Sequence, residues 1–287
     1  MIEELSVRAG ELRMHALAQG PPDGPLVLLL HGFPELSRSW RRQLPALAAA
    51  GYRAVAPDQR GYGETDLRGP YDTETLAADV VALVRALGRE RAVVVGHDWG
   101  GAVAWSAAQL YPEVVERLVA LNCPPLEVLR RELMRSPRQL WRSRYMLFFQ
   151  IPRLPERQLS EDGAAQVARA LVGGSYVRSA WDADEIALYR AAFARPGRAK
   201  AAIDWYRARR RHSRGRRRPI QVPTLVLWGV RDRFLGVELA DPARLGRVLA
   251  AGNEPTVVLL PEAGHFVQNE APERVNAELL QWLGPAS

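Results

Sequence analysis

Two residue types are nearly missing from this 287-residue chain: it has one cysteine, Cys123, and one lysine, Lys200. A single cysteine excludes an internal disulfide framework and fits a reducing compartment. Long apolar runs are missing too. Leu26 to Leu30 is typical, and it is far too short to span a bilayer. The opening Met1-Ile2-Glu3-Glu4 carries acids where a secretory leader carries bases. The expectation is a soluble cytoplasmic protein with no membrane partner.

The scarcity of lysine also colours the charge. The net charge of +7 is carried almost entirely by arginine. Beside so much alanine and glycine, that reads as the coding bias of a GC-rich genome. It argues weakly for nucleic acid, and no such partner is expected. The length suits one full-sized core, or a core with a large insertion.

Apolar runs mark the core. Leu26 to Leu30 is continuous and ends at His31-Gly32, as suits a strand buried on both faces of a parallel sheet. Similar runs occupy 54–56, 92–95, 118–121, 224–227 and 256–260. Helical spacing links Leu76, Val80, Leu83, Val84 and Leu87, and Gly88 is placed to end that helix. Strands alternating with helices imply a mostly parallel sheet with helices on both faces. The alternation breaks after Leu121 and resumes at Thr224. We therefore expect a core formed by 1–123 and 219–287, with a helical insertion, 124–218. In open α/β sheets ligands bind beyond the carboxyl ends of the strands, so an insertion emerging there would cap the site.

Gly96-His97-Asp98-Trp99-Gly100-Gly101 directly follows one of these strands and opens a helix. Strand, sharp turn and helix, with glycines two residues either side of the centre, is the pattern of a nucleophile elbow. Its usual occupant is serine; here it is Asp98. The exchange carries chemical information. A serine attacking a saturated carbon would form an ether, a dead end. A carboxylate attacking the same carbon forms an ester that water can open. Asp98 therefore points to an alkyl electrophile, an epoxide or an alkyl halide. The competing reading is that Asp98 only serves turn geometry.

Two more residues weigh against that reading. Asp232 follows the strand at 224–227, and His265 follows the strand at 256–260. The chain order of nucleophile, acid and histidine is that of α/β-hydrolases. An aspartate on one imidazole nitrogen sets the tautomer and leaves the other nitrogen as base, near a pKa of about 6.5. Phe33 and Trp99, through their backbone N–H groups, are the expected oxyanion hole. Pro34 after Phe33 suits a tight turn, cis included. His31 and His97 flank the site as structural neighbours; His15 and His212 have no context.

His31-Gly32-Phe33-Pro34-Glu35 with Ser39-Trp40, then Asp58-Gln59-Arg60-Gly61-Tyr62-Gly63, then Gly96 to Gly100, together resemble the soluble epoxide hydrolases. The likeness runs from about Leu28 to His265. It implies an α/β-hydrolase fold: a mostly parallel eight-stranded sheet flanked by helices, with an inserted helical cap. It also implies two cap tyrosines that donate to the epoxide oxygen. Tyr145-Met146-Leu147-Phe148-Phe149-Gln150 matches the first of that family's segments. Asp204-Trp205-Tyr206-Arg207 matches the second except at Asp204. Ring opening develops an alkoxide, which a phenol can stabilise and protonate. Aromatics in a helical cap also serve as plain packing, and Tyr176 and Tyr189 are alternatives.

The expected substrate is a hydrophobic epoxide, with water as co-substrate, in a pocket formed by Trp40, Trp141, Phe149, Trp181 and Phe266. Phe148 belongs to the same aromatic cap. No metal-ligand spacing is present and no cofactor is expected. The sequence leaves a homodimer open.

The rival is a haloalkane or haloacid dehalogenase with the same Asp98, Asp232 and His265. A leaving halide needs N–H donors, which Trp99 with Trp141, Trp181 or Trp205 could supply. Against that, dehalogenases of haloalkanes often have Asn where Phe33 stands, and those of fluoroacetate typically have Arg where Trp99 stands. Arg207, Arg209, Arg210, Arg211, Arg214, Arg216, Arg217 and Arg218 form a basic stretch. We read it as a solvated face, with no aromatics interleaved to stack single-stranded bases.

Overall fold

A computed structural model describes residues 1–208 and 217–286. Eight strands form one sheet: β1 (Glu3–Ala9), β2 (Leu12–Gln19), β3 (Leu26–Leu30), β4 (Arg53–Pro57), β5 (Ala92–His97), β6 (Val115–Leu121), β7 (Thr224–Gly229) and β8 (Thr256–Leu260). Their spatial order is β1-β2-β4-β3-β5-β6-β7-β8. β1 and β2 pair antiparallel, as do β2 and β4; every other pairing is parallel.

The sheet explains which strands could be read from hydrophobicity. β3 and β5 are buried at every residue, so they are unbroken apolar runs. β1, at the edge, alternates between exposed and covered side chains, and β2 carries Arg13 and His15. Neither forms a continuous run, and both escape a search for one.

Alternate residues of a strand face opposite sides. Leu26, Leu28 and Leu30 enter one core with Val94, Val103 and Trp105. Val27 and Leu29 enter the other with Val93 and Val95. Helices α1 (Gln43–Ala49), α2 (Thr73–Ala86) and α3 (Trp99–Leu110) cover these faces. α2 starts where the Asp72 side chain accepts from the Thr75 N–H at 3.1 Å, an N-cap. It ends before Gly88, whose φ of +73° suits glycine.

Between β6 and β7 the chain leaves the sheet. It forms α4 (Leu126–Arg135), α5 (Pro137–Arg142), α6 (Tyr145–Phe148), α7 (Leu154–Ser160), α8 (Ala165–Gly174), α9 (Ala183–Ala194) and α10 (Arg198–Arg207). These helices bury Val128, Phe149, Leu171, Phe193 and Trp205 in the first core. After β7 come α11 (Pro242–Leu245), α12 (Val267–Glu270) and α13 (Pro272–Leu283). Val275 and Leu279 of α13 pack into the second core. Among the described residues no helix is long and apolar enough to cross a membrane.

Of the basic stretch, Arg209, Arg210, Arg211, Arg214 and Arg216 lie outside the described residues, as does His212. Arg207 binds Glu156 and the Phe149 carbonyl, and Arg217 binds Gln109 at 2.5 Å.

Candidate active site

Asp98 sits between β5 and α3 with φ 48° and ψ −119°, a conformation costly for a residue with a side chain. Its neighbours make the turn possible. A Cβ on Gly96 would lie 2.2 Å from the Gly100 carbonyl oxygen, and one on Gly100 would lie 2.1 Å from that of Leu30. Only glycine fits either position. The turn lifts the Asp98 carboxylate above the carboxyl edge of the sheet.

There Oδ1 accepts a hydrogen bond from the Phe33 N–H at 2.9 Å. Phe33 precedes Pro34 across a cis peptide bond. Trp99 is the first residue of α3, among the N–H groups that a helix leaves without an internal acceptor. Oδ2 faces His265, 3.5 Å from Nε2. Burial alone would raise the Asp98 pKa. The hydrogen bond and charge of His265, with His97 and the Phe33 N–H, outweigh it and hold the group below its ordinary value.

His265 turns its Nδ1 to Oδ2 of Asp232 at 2.8 Å. Burial pulls the imidazole pKa down, but Asp232 and Asp98 more than reverse it, and the result is well above the ordinary value. Asp232 itself is fully engaged. Its Oδ1 accepts from the N–H groups of Phe234 and Leu235 at 2.7 and 2.9 Å. Its Oδ2 also accepts from Asn122 Nδ2 at 2.8 Å. All three residues expected from chain order thus converge at the ends of β5, β7 and β8.

Tyr145 opens α6 and Tyr206 lies near the end of α10. Their ring centroids are 6.1 Å apart, and the Trp99 ring is 5.0 Å from that of Tyr206. Burial pushes both phenols well above their ordinary pKa, and the Asp98 charge acts in the same direction, after that of Tyr145 in the case of Tyr206. Both therefore keep their protons at any working pH.

A cavity of about 650 Å³ joins these groups, lined by Asp98, His265, Tyr145 and Tyr206 together with Phe149 and Phe266. Three expected pocket residues are elsewhere. Trp40 is fully buried in the second core, with Leu44 and Val267. Trp141 is 66% exposed on α5, with the Arg144 guanidinium 4.0 Å from its ring. Trp181 packs behind Phe266, centroids 5.5 Å apart, and donates to Ser175 Oγ at 2.8 Å. Tyr189 is buried against Ser39 and Tyr176 is half exposed. Neither lines the cavity.

The structure adds residues that the sequence reading did not single out. Asn122, at the end of β6 with φ 42°, accepts from the Gly229 N–H at 2.8 Å while it donates to Asp232. Glu270 accepts from the N–H groups of Gly264 and Phe266, at 2.9 and 3.0 Å, and so fixes the main chain on both sides of His265. Its Oε2 also accepts from Tyr176 and Val177, tying that loop to the insertion. Glu35 is fully buried. It accepts from Gly32 N–H and Ser39 Oγ and lies 2.6 Å from His97 Nδ1. His97 Nε2 in turn reaches the His265 carbonyl at 2.8 Å. His31 accepts from the Gln59 N–H at 3.1 Å, so its Nδ1 carries the proton toward the Gly32 carbonyl. Both histidines are buried and bound on both ring nitrogens.

Sheet order, elbow and the order of the three site residues define a class. The family model for the alpha/beta hydrolase fold matches residues 25–272, and the chain belongs to the α/β-hydrolase superfamily. It is 37% identical over 281 residues to the AB hydrolase superfamily protein YfhM of Bacillus subtilis, covering 96% of each chain. It is 35% identical over 321 residues to epoxide hydrolase A of Mycobacterium tuberculosis, covering 98% of this chain and 97% of that one. The crystal structure of epoxide hydrolase A from Mycobacterium thermoresistibile superposes with a TM-score of 0.83 at 33% identity, over 100% of this chain and 99% of that one. Within the superfamily, the chain belongs to the epoxide hydrolase family.

Proposed function

We propose that the protein hydrolyses a hydrophobic epoxide to a vicinal diol through a covalent ester on Asp98. The observation that carries this reading is the division of labour at one carboxylate. Oδ1 is held by the Phe33 N–H, Oδ2 faces His265, and two phenols line the same cavity.

In the first step Oδ2 attacks a ring carbon. The carbon–oxygen bond of the epoxide breaks, and its electron pair goes to the ring oxygen. That oxygen takes a proton from Tyr145 or Tyr206, and solvent later returns one to the tyrosinate. In the second step His265 Nε2 takes a proton from water, and the hydroxide attacks Cγ of Asp98. Negative charge develops on Oδ1, against the N–H groups of Phe33 and Trp99. The Cγ–Oδ2 bond then breaks, and the diol leaves with the proton from His265. Asp232 holds the imidazole throughout. The helices from α4 to α10 serve as the cap, carrying both tyrosines over the cavity.

The dehalogenase reading is weaker for a specific reason. The indole N–H of Trp205 is bound to the Arg60 carbonyl at 3.2 Å and that of Trp181 to Ser175. Trp141 is on the outside. Trp205 lies beside Trp99, ring centroids 5.9 Å apart, but its indole N–H is already committed and is not free to hold a halide.

The reading is tested by a single turnover in water labelled with heavy oxygen. The label is expected in the Asp98 carboxylate and absent from the first diol; label in the first diol overturns the covalent route. His265→Gln is expected to accumulate an alkyl adduct visible by mass spectrometry. Release of halide from chloroalkanes or bromoalkanes, with no diol from styrene-type or aliphatic epoxides, would favour the dehalogenase.

A further inference from the structure

Most large apolar side chains of this protein are inside. Among the described residues twelve are exposed, and six of these fall between 134 and 154: Met134, Leu140, Trp141, Leu147, Ile151 and Leu154. Trp141 is the one exposed tryptophan of eight. Exposed apolar side chains scattered singly are ordinary, whereas a cluster of them marks a contact surface.

The cluster follows from helix geometry. From Ser136 to Ile151 helical turns succeed one another through α5 and α6. The Leu140 N–H donates to the Ser136 carbonyl, Ser143 to Gln139, Leu147 to Arg144 and Ile151 to Phe148. Residues three or four apart share a face. Gln139, Ser143 and Phe149 are buried, while Leu140, Arg144, Leu147 and Ile151 are exposed. Trp141 stands beside that line, with the Arg144 guanidinium over its ring. The outward stripe is thus apolar, the reverse of what a helix facing only water carries.

The charge of the same stretch is one-sided. Between Glu132 and Glu156 there are five arginines, Arg135, Arg138, Arg142, Arg144 and Arg153, and no acid. Both bounding acids are occupied, Glu132 by Arg244 and Glu156 by Arg207. Arg135, Arg138, Arg144 and Arg153 are exposed, and Glu238 lies 3.7 Å from Arg138. A second copy docked about a twofold axis would set this patch against itself, arginine facing arginine. A bilayer with anionic head groups suits both features. Guanidiniums meet the phosphates, and the apolar side chains enter the boundary between head groups and acyl chains.

We propose that the outward face of α5 and α6 binds peripherally to an anionic lipid surface. This departs from the expectation of no membrane partner. That expectation rested on the lack of a spanning run, and a helix lying in the interface needs none. Leu140, Leu147 and Ile151 enter the boundary, Trp141 lies at head-group depth, and the arginines hold the phosphates. None of these four apolar residues lines the cavity, so the contact is independent of the chemistry proposed at Asp98.

The full chain is mixed with vesicles of phosphatidylcholine, alone or with about 30% phosphatidylglycerol, and sedimented. Wild type is expected to pellet with the anionic vesicles and to stay in solution with the neutral ones. About 0.5 M salt should release much of it. Tryptophan emission should shift to the blue on binding, and Trp141→Ala should lack the shift. The pair Leu147→Gln and Ile151→Gln should weaken binding by about tenfold or more, and Arg138→Gln and Arg144→Gln by about fivefold each. These side chains are exposed, so the variants should keep the wild-type Tm. Leu259→Gln removes an exposed leucine of β8 and should bind as wild type does.

Wild type left in solution beside the anionic vesicles overturns the proposal. So does a loss confined to the arginine variants, which would mean charge attraction without this face, or an equal loss in Leu259→Gln. A dimer in sedimentation velocity that the Leu147→Gln and Ile151→Gln pair dissociates would assign the face to a second copy instead.

Discussion

The Nε2 atom of His265 stands 3.5 Å from Oδ2 of Asp98. The Asp98 charge therefore helps to keep the imidazole protonated, together with Asp232. A protonated imidazole cannot act as a base. Forming an ester on Asp98 removes one of the two anions, and the His265 pKa falls when a base is needed. Alkylation uses the Asp98 carboxylate, already ionised, and should be nearly flat between about pH 6 and pH 9. Ester hydrolysis should rise with pH over that range. Stopped-flow tryptophan fluorescence separates the phases, with Trp99 beside Asp98 as reporter. A hydrolysis phase that is flat or falls with pH would remove His265 as the base.

The same shifts make a statement about stability. His265 has a folded pKa above its unfolded value, so its contribution is complete below about pH 6.5 and is lost as pH rises through the folded pKa. Asp98 has a folded pKa below its unfolded value. Its contribution is present above about pH 3.9 and is lost as pH falls through the folded value. Asp98→Asn leaves His265 only Asp232 as a charged partner. The alkaline decline of Tm should then begin at lower pH than in wild type. Identical alkaline limbs in the two proteins would show that Asp98 does not raise the His265 pKa.

Tyr145 and Tyr206 provide a test of the leaving oxygen. Both are held protonated by burial, and both line the cavity with Asp98. General-acid assistance is worth about a hundredfold to ten-thousandfold. Each Tyr→Phe change should lower the rate of alkylation by about tenfold or more. The double change should lower it much further, because either phenol alone can still donate. Ester hydrolysis, which needs neither phenol, should change little in the single variants. Loss of hydrolysis with unchanged alkylation would contradict this assignment.

Much of this site was legible because the fold puts its chemistry at strand ends. Asp98, Asp232 and His265 each follow an apolar run, and chain order suggests the roles proposed for them. The tyrosines were legible only through their local segments, since spacing cannot show that α6 and α10 meet. Trp40, Trp141 and Trp181 misled for a related reason. An aromatic ring reads as a pocket wall from composition alone, yet which face it occupies is a property of the packed helix. Trp141 covers itself with Arg144, and Trp40 lies on the far side of the sheet. Asn122 and Glu270 left almost no signal, and Glu35 appeared only as the last residue of the His31-Gly32-Phe33-Pro34-Glu35 segment, with no role attached. A single polar residue near a strand end or helix start looks like a turn residue or a cap. Only burial and the hydrogen bonds reveal that each holds a residue or loop of the candidate site.

Asn122 separates backbone from side-chain effects. Its φ of 42° favours Asn or Gly, and its side chain bridges Gly229 N–H and Asp232. Asn122→Gly keeps the conformation and removes the side-chain hydrogen bonds to Asp232 and to the Gly229 N–H and carbonyl, leaving a buried N–H unpaired at a cost of about 1–3 kcal/mol. Asn122→Ala adds backbone strain. Both should slow ester hydrolysis by about tenfold or more, because Asp232 loses a donor that fixes it. The Ala variant should unfold at the lower Tm. Equal Tm values would mean that the positive φ carries no strain, and unchanged hydrolysis would mean that Asp232 is placed without Asn122.

Glu35 is the harshest test of the layer beneath the site. Burial opposes its charge, but His97, Ser39 and the Gly32 N–H hold its pKa below the ordinary value. Its charge is thus retained away from bulk solvent, and His97 carries the connection on to the His265 carbonyl. Breaking a buried pair from one side costs about 3–5 kcal/mol. Glu35→Ala should therefore lower Tm by about 10 °C, at about 2–4 °C per kcal/mol for a large domain. Glu35→Gln keeps the shape and one acceptor oxygen, so it should recover part of that loss. The fall of wild-type stability in acid should also be blunted in Glu35→Gln, since a depressed carboxyl loses its contribution as pH drops through its folded value. A Glu35→Ala protein as stable as wild type at neutral pH would show that the buried Glu35–His97 link contributes nothing to stability.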